Sequence, residues 1–143
     1  MTKSETTTLA ALAKQYFAAW NARDETALDD LLAPSFTWTD PMLPTPLDEL
    51  EGVHLFLSSS WEGMSDLRFE LIGEPAVAHA ASRVAQEWRM LATHDGDFIG
   101  SPPSGNVVDV FGTDVFTVGD GGRVAEIRAY YDSATVLRQL DLF

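Results

Sequence analysis

The chain opens on a helical rhythm. Leu9, Ala13, Tyr16 and Trp20 recur at intervals of three and four, with Leu12 and Phe17 widening the stripe, which predicts an amphipathic helix over residues 5–20. Asn21 to Arg23 read as a turn, and Asp24 as the cap of a shorter helix that runs through Leu28, Leu31 and Leu32 until Pro34 stops it. The period then changes to two. In "SFTWTDP", Phe36 and Trp38 face one side and Ser35, Thr37 and Thr39 the other, the pattern of a half-buried strand. A proline-rich loop, "PMLPTP", follows, and "VHLFLSSSW" predicts a third helix near Val53 to Trp61. Everything beyond reads as extended: "DLRFELIG", with Leu67, Phe69 and Leu71 alternating, then "RVAQEWRMLAT", "VVDVFGTDVFTV" and "RVAEIRAYY". The last two meet at Gly121-Gly122, a hairpin signal, and the loop "HDGDFIGSPPSGN" separates the middle two. Helices first and strands afterwards predict an α+β fold, a curved antiparallel sheet packed over the N-terminal helices, in one domain spanning residues 1–143.

The same periods expose three polar groups on apolar faces. Asp40 falls on the side of Phe36 and Trp38, Asp114 on the side of Val108, Val110, Phe116 and Val118, and Tyr16 on the helix stripe. Gly112 is a candidate bulge that would reverse the parity at Asp114. Each group also has an ordinary structural reading. An Asp before Pro starts turns, a strand Asp pairs with an Arg, and a buried Tyr packs its ring while its hydroxyl finds a partner. Taken together they predict an apolar cavity holding two carboxyl groups. Desolvation would raise both pKa values, and unequal surroundings would leave one ionised as a base and the other protonated as a donor.

Composition narrows the chemistry. No apolar run approaches the roughly 20 residues that span a bilayer, and "MTKSETTT" lacks the features of a secretory signal, so a soluble, cytoplasmic protein is expected. With no cysteine, thiolate catalysis and cysteine-ligated metals are excluded, leaving carboxylates, His, Tyr, Ser and Thr. A net charge of −13, with nine scattered Lys and Arg, argues against nucleic acid and anionic membranes as partners.

The residues then carry a family likeness. The chain resembles, over nearly its whole length, the cone-shaped α+β superfamily of ketosteroid isomerases, SnoaL-like polyketide cyclases, limonene-epoxide-hydrolase-like enzymes and nuclear transport factor 2. The likeness rests on "QYFAAWNARDETALDDLLAPSFTWTDP", "THDGDFIGSPPSGN" and "GTDVFTVGDGGRVAEIRAYYD" with its "LRQL" ending. The front segment is similar to a ketosteroid isomerase, which implies Tyr16 as an oxyanion donor, Asp40 as general base and Asp114 as a second, protonated donor. The middle and end look like the cyclases. However, the acid that cyclases and the related epoxide hydrolases often carry after the last strand's Arg is Ala129 here.

The resemblance implies a cofactor-free, metal-free enzyme of isomerase or polyketide-cyclase type, acting on an apolar steroid- or polyketide-like small molecule. Epoxide opening with cyclic-ether closure, as in antibiotic biosynthesis, is an alternative. A non-catalytic ligand-binding or dimerisation domain is another. Trp38, Trp61, Trp88, Phe116 and Tyr131 are expected to line the substrate site, and the family's sheet-to-sheet dimers together with the tail "LDLF" point to a homodimer. His94 with Asp95 and Asp97 supplies only one strong metal ligand. His54 is expected on a helix surface and His79 in a strand, Ser58 to Ser60 lack a nucleophile-elbow context, and Arg128 beside the inner face is read as structural.

Overall fold

The computed structural model describes residues 3–142 of the chain; Met1, Thr2 and Phe143, the end of the apolar tail, lie outside the described residues. The elements run α1 (Lys3–Ala22), α2 (Glu25–Leu31), β1 (Leu32–Thr39), α3 (Leu50–Gly63), β2 (Arg68–Ala78), β3 (Arg83–Thr93), β4 (Val107–Val118), β5 (Val124–Tyr130) and α4 (Ser133–Gln139). The architecture is α+β, a curved, unclosed five-stranded sheet in the order β1-β5-β4-β3-β2 with helices across one face. Among the described residues no helix is long and apolar enough to cross a membrane.

Four expectations need correction. The sheet is mixed rather than antiparallel, because β1 runs parallel to β5. Pro34 does not end α2. The helix stops at Leu31 and Pro34 sits inside β1, where an edge position and a register slip between Leu32 and Thr37 tolerate its missing N–H. The chain after α3 is not all extended, for α4 is capped by Asp132, whose Oδ1 accepts from the Ala134 N–H at 3.0 Å. His79 opens a short 3₁₀ turn instead of lying in a strand. The Asp24 cap forms as expected, accepting from the Ala27 N–H at 3.1 Å, and His54 lies on α3, with its Nε2 2.8 Å from Asp29 of α2.

The core lies between α1 and the concave face of the sheet, where Phe17, Trp20 and Phe69 pack ring to ring. A polar clamp holds the end of α1 in place. The Asn21 side chain pairs with both backbone groups of Phe69, at 3.0 and 2.8 Å, and the Arg23 guanidinium donates to the carbonyls of Leu67 and Ser65, at 2.7 and 2.5 Å. Tyr16 and Trp20 are thereby fixed over the strands.

Gly112 is not a bulge. The β3–β4 register is continuous from Arg83↔Thr117 to Thr93↔Val107, so the even positions of β4 stay on the inner face throughout. Its glycine has a different cause. Trp88 is its cross-strand partner, and a Cβ at 112 would lie 2.4 Å from Trp88 Cζ2 and 2.7 Å from the Tyr130 carbonyl oxygen. Gly112→Ala should therefore cost about 1–3 kcal/mol, as overpacking does, and displace the indole. Urea midpoints and the Trp88 indole N–H resonance would check it, an unmoved resonance with wild-type stability being the contrary result.

Candidate active site

Three neighbouring strands bring the chemistry together. Thr39 of β1 pairs with Arg128 of β5, so the next residues along, Asp40 and Ala129, are neighbours, and across β5 Ala129 pairs with Asp114 of β4. With strands about 4.8 Å apart, the backbones of Asp40 and Asp114 stand roughly 10 Å apart, and the methyl group of Ala129 lies between them. The position where the cyclases often place an acid is thus occupied by a small side chain, flanked by two acids.

The two carboxyls and Tyr16 line one cavity, together with Trp20, Trp38, Met42, Phe56, Ser60, Met64, Phe69, Trp88, Met90, Phe98, Ala129, Tyr131 and Val136 among others. The space among them, about 60 Å³ open to the centres of water molecules, holds a handful of waters. The methionines of its wall are flexible side chains that can adapt to a ligand's shape. No Lys, Arg or His among the described residues lines it.

The environments of the two carboxyls differ. Asp114, mid-strand and 4% exposed, accepts a hydrogen bond on Oδ1 from the Trp88 indole N–H at 3.0 Å. Burial, only partly offset by that bond and reinforced by the Asp40 charge, pushes its pKa up to about 8. Asp40, just past the end of β1, accepts on Oδ1 from the Tyr131 hydroxyl at 2.5 Å and from the Met42 N–H at 2.9 Å. Burial raises its pKa as well, but the two donors stabilise the charged form and oppose the rise. Tyr16 is 3% exposed, and burial together with the Asp114 charge holds its phenol well above the ordinary tyrosine value. It remains a donor. Trp20, one turn further along α1, buries its indole N–H, and its interaction with the Tyr16 hydroxyl partly opposes that rise.

Of the other expected lining residues, Trp38 faces the cavity, whereas Phe116 and Trp61 stand behind it. Phe116 packs under the Tyr16 ring at 4.8 Å and Trp61 against Trp20 at 5.7 Å. Trp88 and Tyr131 do line it, but their polar atoms are engaged with the carboxyls. Ser60 reaches the wall with its hydroxyl bonded to the Phe56 carbonyl of its own helix. Arg128 lies on the outer face, not beside the inner one, paired with Glu126 at 3.2 Å. In the loop after β3, His94 is buried against Ser104 and Asp95 binds the Ser65 hydroxyl and N–H, and among the described residues no three potential metal ligands gather.

A family model of SnoaL-like polyketide cyclases matches residues 10–140. Among solved structures, a proposed SnoaL-like polyketide cyclase from Jannaschia sp. CCS1 is similar, with 26% identity, a TM-score of 0.81, and coverage of 93% of this chain and 91% of that one. IdmH, a proposed polyketide cyclase from Streptomyces antibioticus, shares 24% identity at a TM-score of 0.74, covering 93% and 98%. AclR, a proposed hydroxylase from Streptomyces galilaeus, shares 23% at 0.79, covering 94% and 82%. No curated protein matches the chain by sequence. The last two likenesses extend to the fold, and a fold that carries different chemistries leaves the reaction to the site.

Proposed function

The chain belongs to the SnoaL-like polyketide cyclase family, and from that premise we propose a cofactor-free acid–base enzyme that isomerises or cyclises a neutral, apolar, oxygen-bearing ring compound of steroid or polyketide type. One observation carries this reading. Two carboxyls line a single cavity in unlike surroundings: burial pushes the Asp114 pKa up to about 8 against one indole donor, while two donors oppose the rise at Asp40. Asp40 then removes a proton from carbon, the electron pair moves to the substrate oxygen, and Asp114 and Tyr16 donate hydrogen bonds to that oxygen. Asp40 returns the proton at another carbon, or the enolate carbon attacks a substrate carbonyl carbon and closes a ring, the C=O π pair moving to that oxygen, which takes the proton held by Asp40. The absence of a cation among the described lining residues favours a neutral ligand over a phosphorylated or carboxylated one.

The same neutral acid supports a second reading. Asp114 protonates an epoxide oxygen while Asp40 takes the proton from an attacking hydroxyl, opening the epoxide and closing a cyclic ether. Assays of the purified protein with a Δ5-3-ketosteroid and with a hydroxy-epoxide separate the two. Binding of both without turnover of either would point instead to a ligand-binding domain.

We also propose a homodimer through the outer face of the sheet, where Ile72, Val107, Phe111 and Tyr130 are exposed, Phe111 by 63%. They stand among charged side chains of the same face, Arg89 with Glu70 and Asp109, and a second chain laid there would cover them. Sedimentation at micromolar concentration should give twice the 15.7 kDa chain mass; a single-chain mass would refute it.

A further inference from the structure

The two donors that hold Asp40 both reach the same oxygen. The Tyr131 hydroxyl and the Met42 N–H converge on Oδ1, at 2.5 and 2.9 Å, and none of the described residues donates to Oδ2. We propose, on the acid–base reading above, that Tyr131 is a positioning residue, which with the Met42 N–H fixes the Asp40 carboxylate by Oδ1 and leaves Oδ2 as the oxygen that exchanges protons with the ligand.

The placement follows from the fold. Inner-face parity on β5 runs through Ile127 and Ala129, and Tyr131, one step past the strand, continues it. Its ring is held edge-on by Trp88 at 5.7 Å, and Trp88 in turn donates to Oδ1 of Asp114. Each acid is thus gripped by one aromatic donor, and the two aromatic rings touch each other. A carboxylate held at one oxygen loses rotational freedom and presents the other in a fixed direction, which is how orientation lowers a barrier. Tyr131 does not itself exchange its proton. Burial, and then the Asp40 charge, hold its phenol far above the ordinary value. The ionisable groups facing Asp40 are Tyr131, Asp114 on β4 and Tyr16 on α1.

The test begins without substrate. Aspartate carboxyl carbons labelled with ¹³C are titrated in the wild type, in Tyr131→Phe, and in protein carrying 3-fluorotyrosine at 131. Phe keeps the ring packing but removes the donor, so Asp40 should titrate at higher pH, whereas the more acidic fluorophenol should leave it at or below its wild-type position. With a turned-over substrate, Tyr131→Phe should lower kcat by up to roughly 10²-fold with KM little changed, and the acidic limb of the pH profile should move with the carboxyl titration. An Asp40 titration unmoved in folded Tyr131→Phe overturns the proposal, as does a variant that loses affinity while kcat is kept, which would make Tyr131 a ligand contact. A shifted titration in a protein that turns nothing over sustains the Tyr131–Asp40 pairing and defeats the catalytic reading instead.

Discussion

Asp40→Asn should lower turnover by roughly 10²- to 10⁴-fold, the usual worth of a general base, while ligand affinity is retained. Asn is close to isosteric, and its amide oxygen can accept from both Tyr131 and the Met42 N–H, the two donors that now reach Oδ1. Only the second oxygen is lost, replaced by an amide nitrogen that has no lone pair for a proton. Steady-state kinetics beside calorimetric binding of the same ligand checks this; wild-type turnover in the variant would remove Asp40 from the reaction. Asp114→Asn should be milder, because an amide still donates to the substrate oxygen. If it proves as damaging as Asp40→Asn in a folded protein, Asp114 works as an ionised group and the two roles are wrongly assigned.

The second large effect is on stability. The folded-state pKa of Asp114, about 8, stands above the ordinary aspartate value of 3.8. The native protein therefore keeps a proton that the unfolded chain releases, and the stability linked to it is complete at low pH and lost as pH rises from about 4 through about 8. At 1.36 kcal/mol per pKa unit, the loss is on the order of 6 kcal/mol. Asp114→Asn has no proton to lose. It should flatten this decline and make the variant the more stable protein at pH 8 and above. Asp40 shifts in the same direction and its charge helps raise Asp114, so the difference between the two proteins reports Asp114 together with its repulsion from Asp40. Urea unfolding at several pH values between about 5 and 9 gives the result, and parallel curves would mean that Asp114 is not desolvated as its position requires.

Much of this site was legible in residue order because strand parity is local. Alternation through Phe36 and Trp38 puts Asp40 on the inner face, and the Val108 to Phe116 series does the same for Asp114, provided Gly112 is not a bulge. Locally, the glycine alone could not decide that, since its cause is an indole from another strand. The partner of Tyr131 is what residue order leaves out. The sequence places this residue among the lining aromatics, where it stands, but its hydroxyl bonds a carboxylate 91 positions away, and no periodicity reports such a distance. The parallel β1–β5 pair escaped for the same reason, as strand order depends on long-range pairing. Helix α4 failed differently: seven residues, with Val136 the buried one among them, give too short a pattern to show a period.

The alanine between the two acids makes the sheet a ruler. The two carboxyls sit two strands apart, a distance set by the hydrogen-bonded lattice of β1, β5 and β4 and stiff for that reason. The wall facing them, with Met42, Met64, Met90 and Phe98, is soft and comes from loops, helix ends and one strand. Carboxyl spacing and cavity shape are therefore held by different materials in this molecule. Substitutions in the wall can recut the cavity while the separation of the two acids stays as the strands fix it.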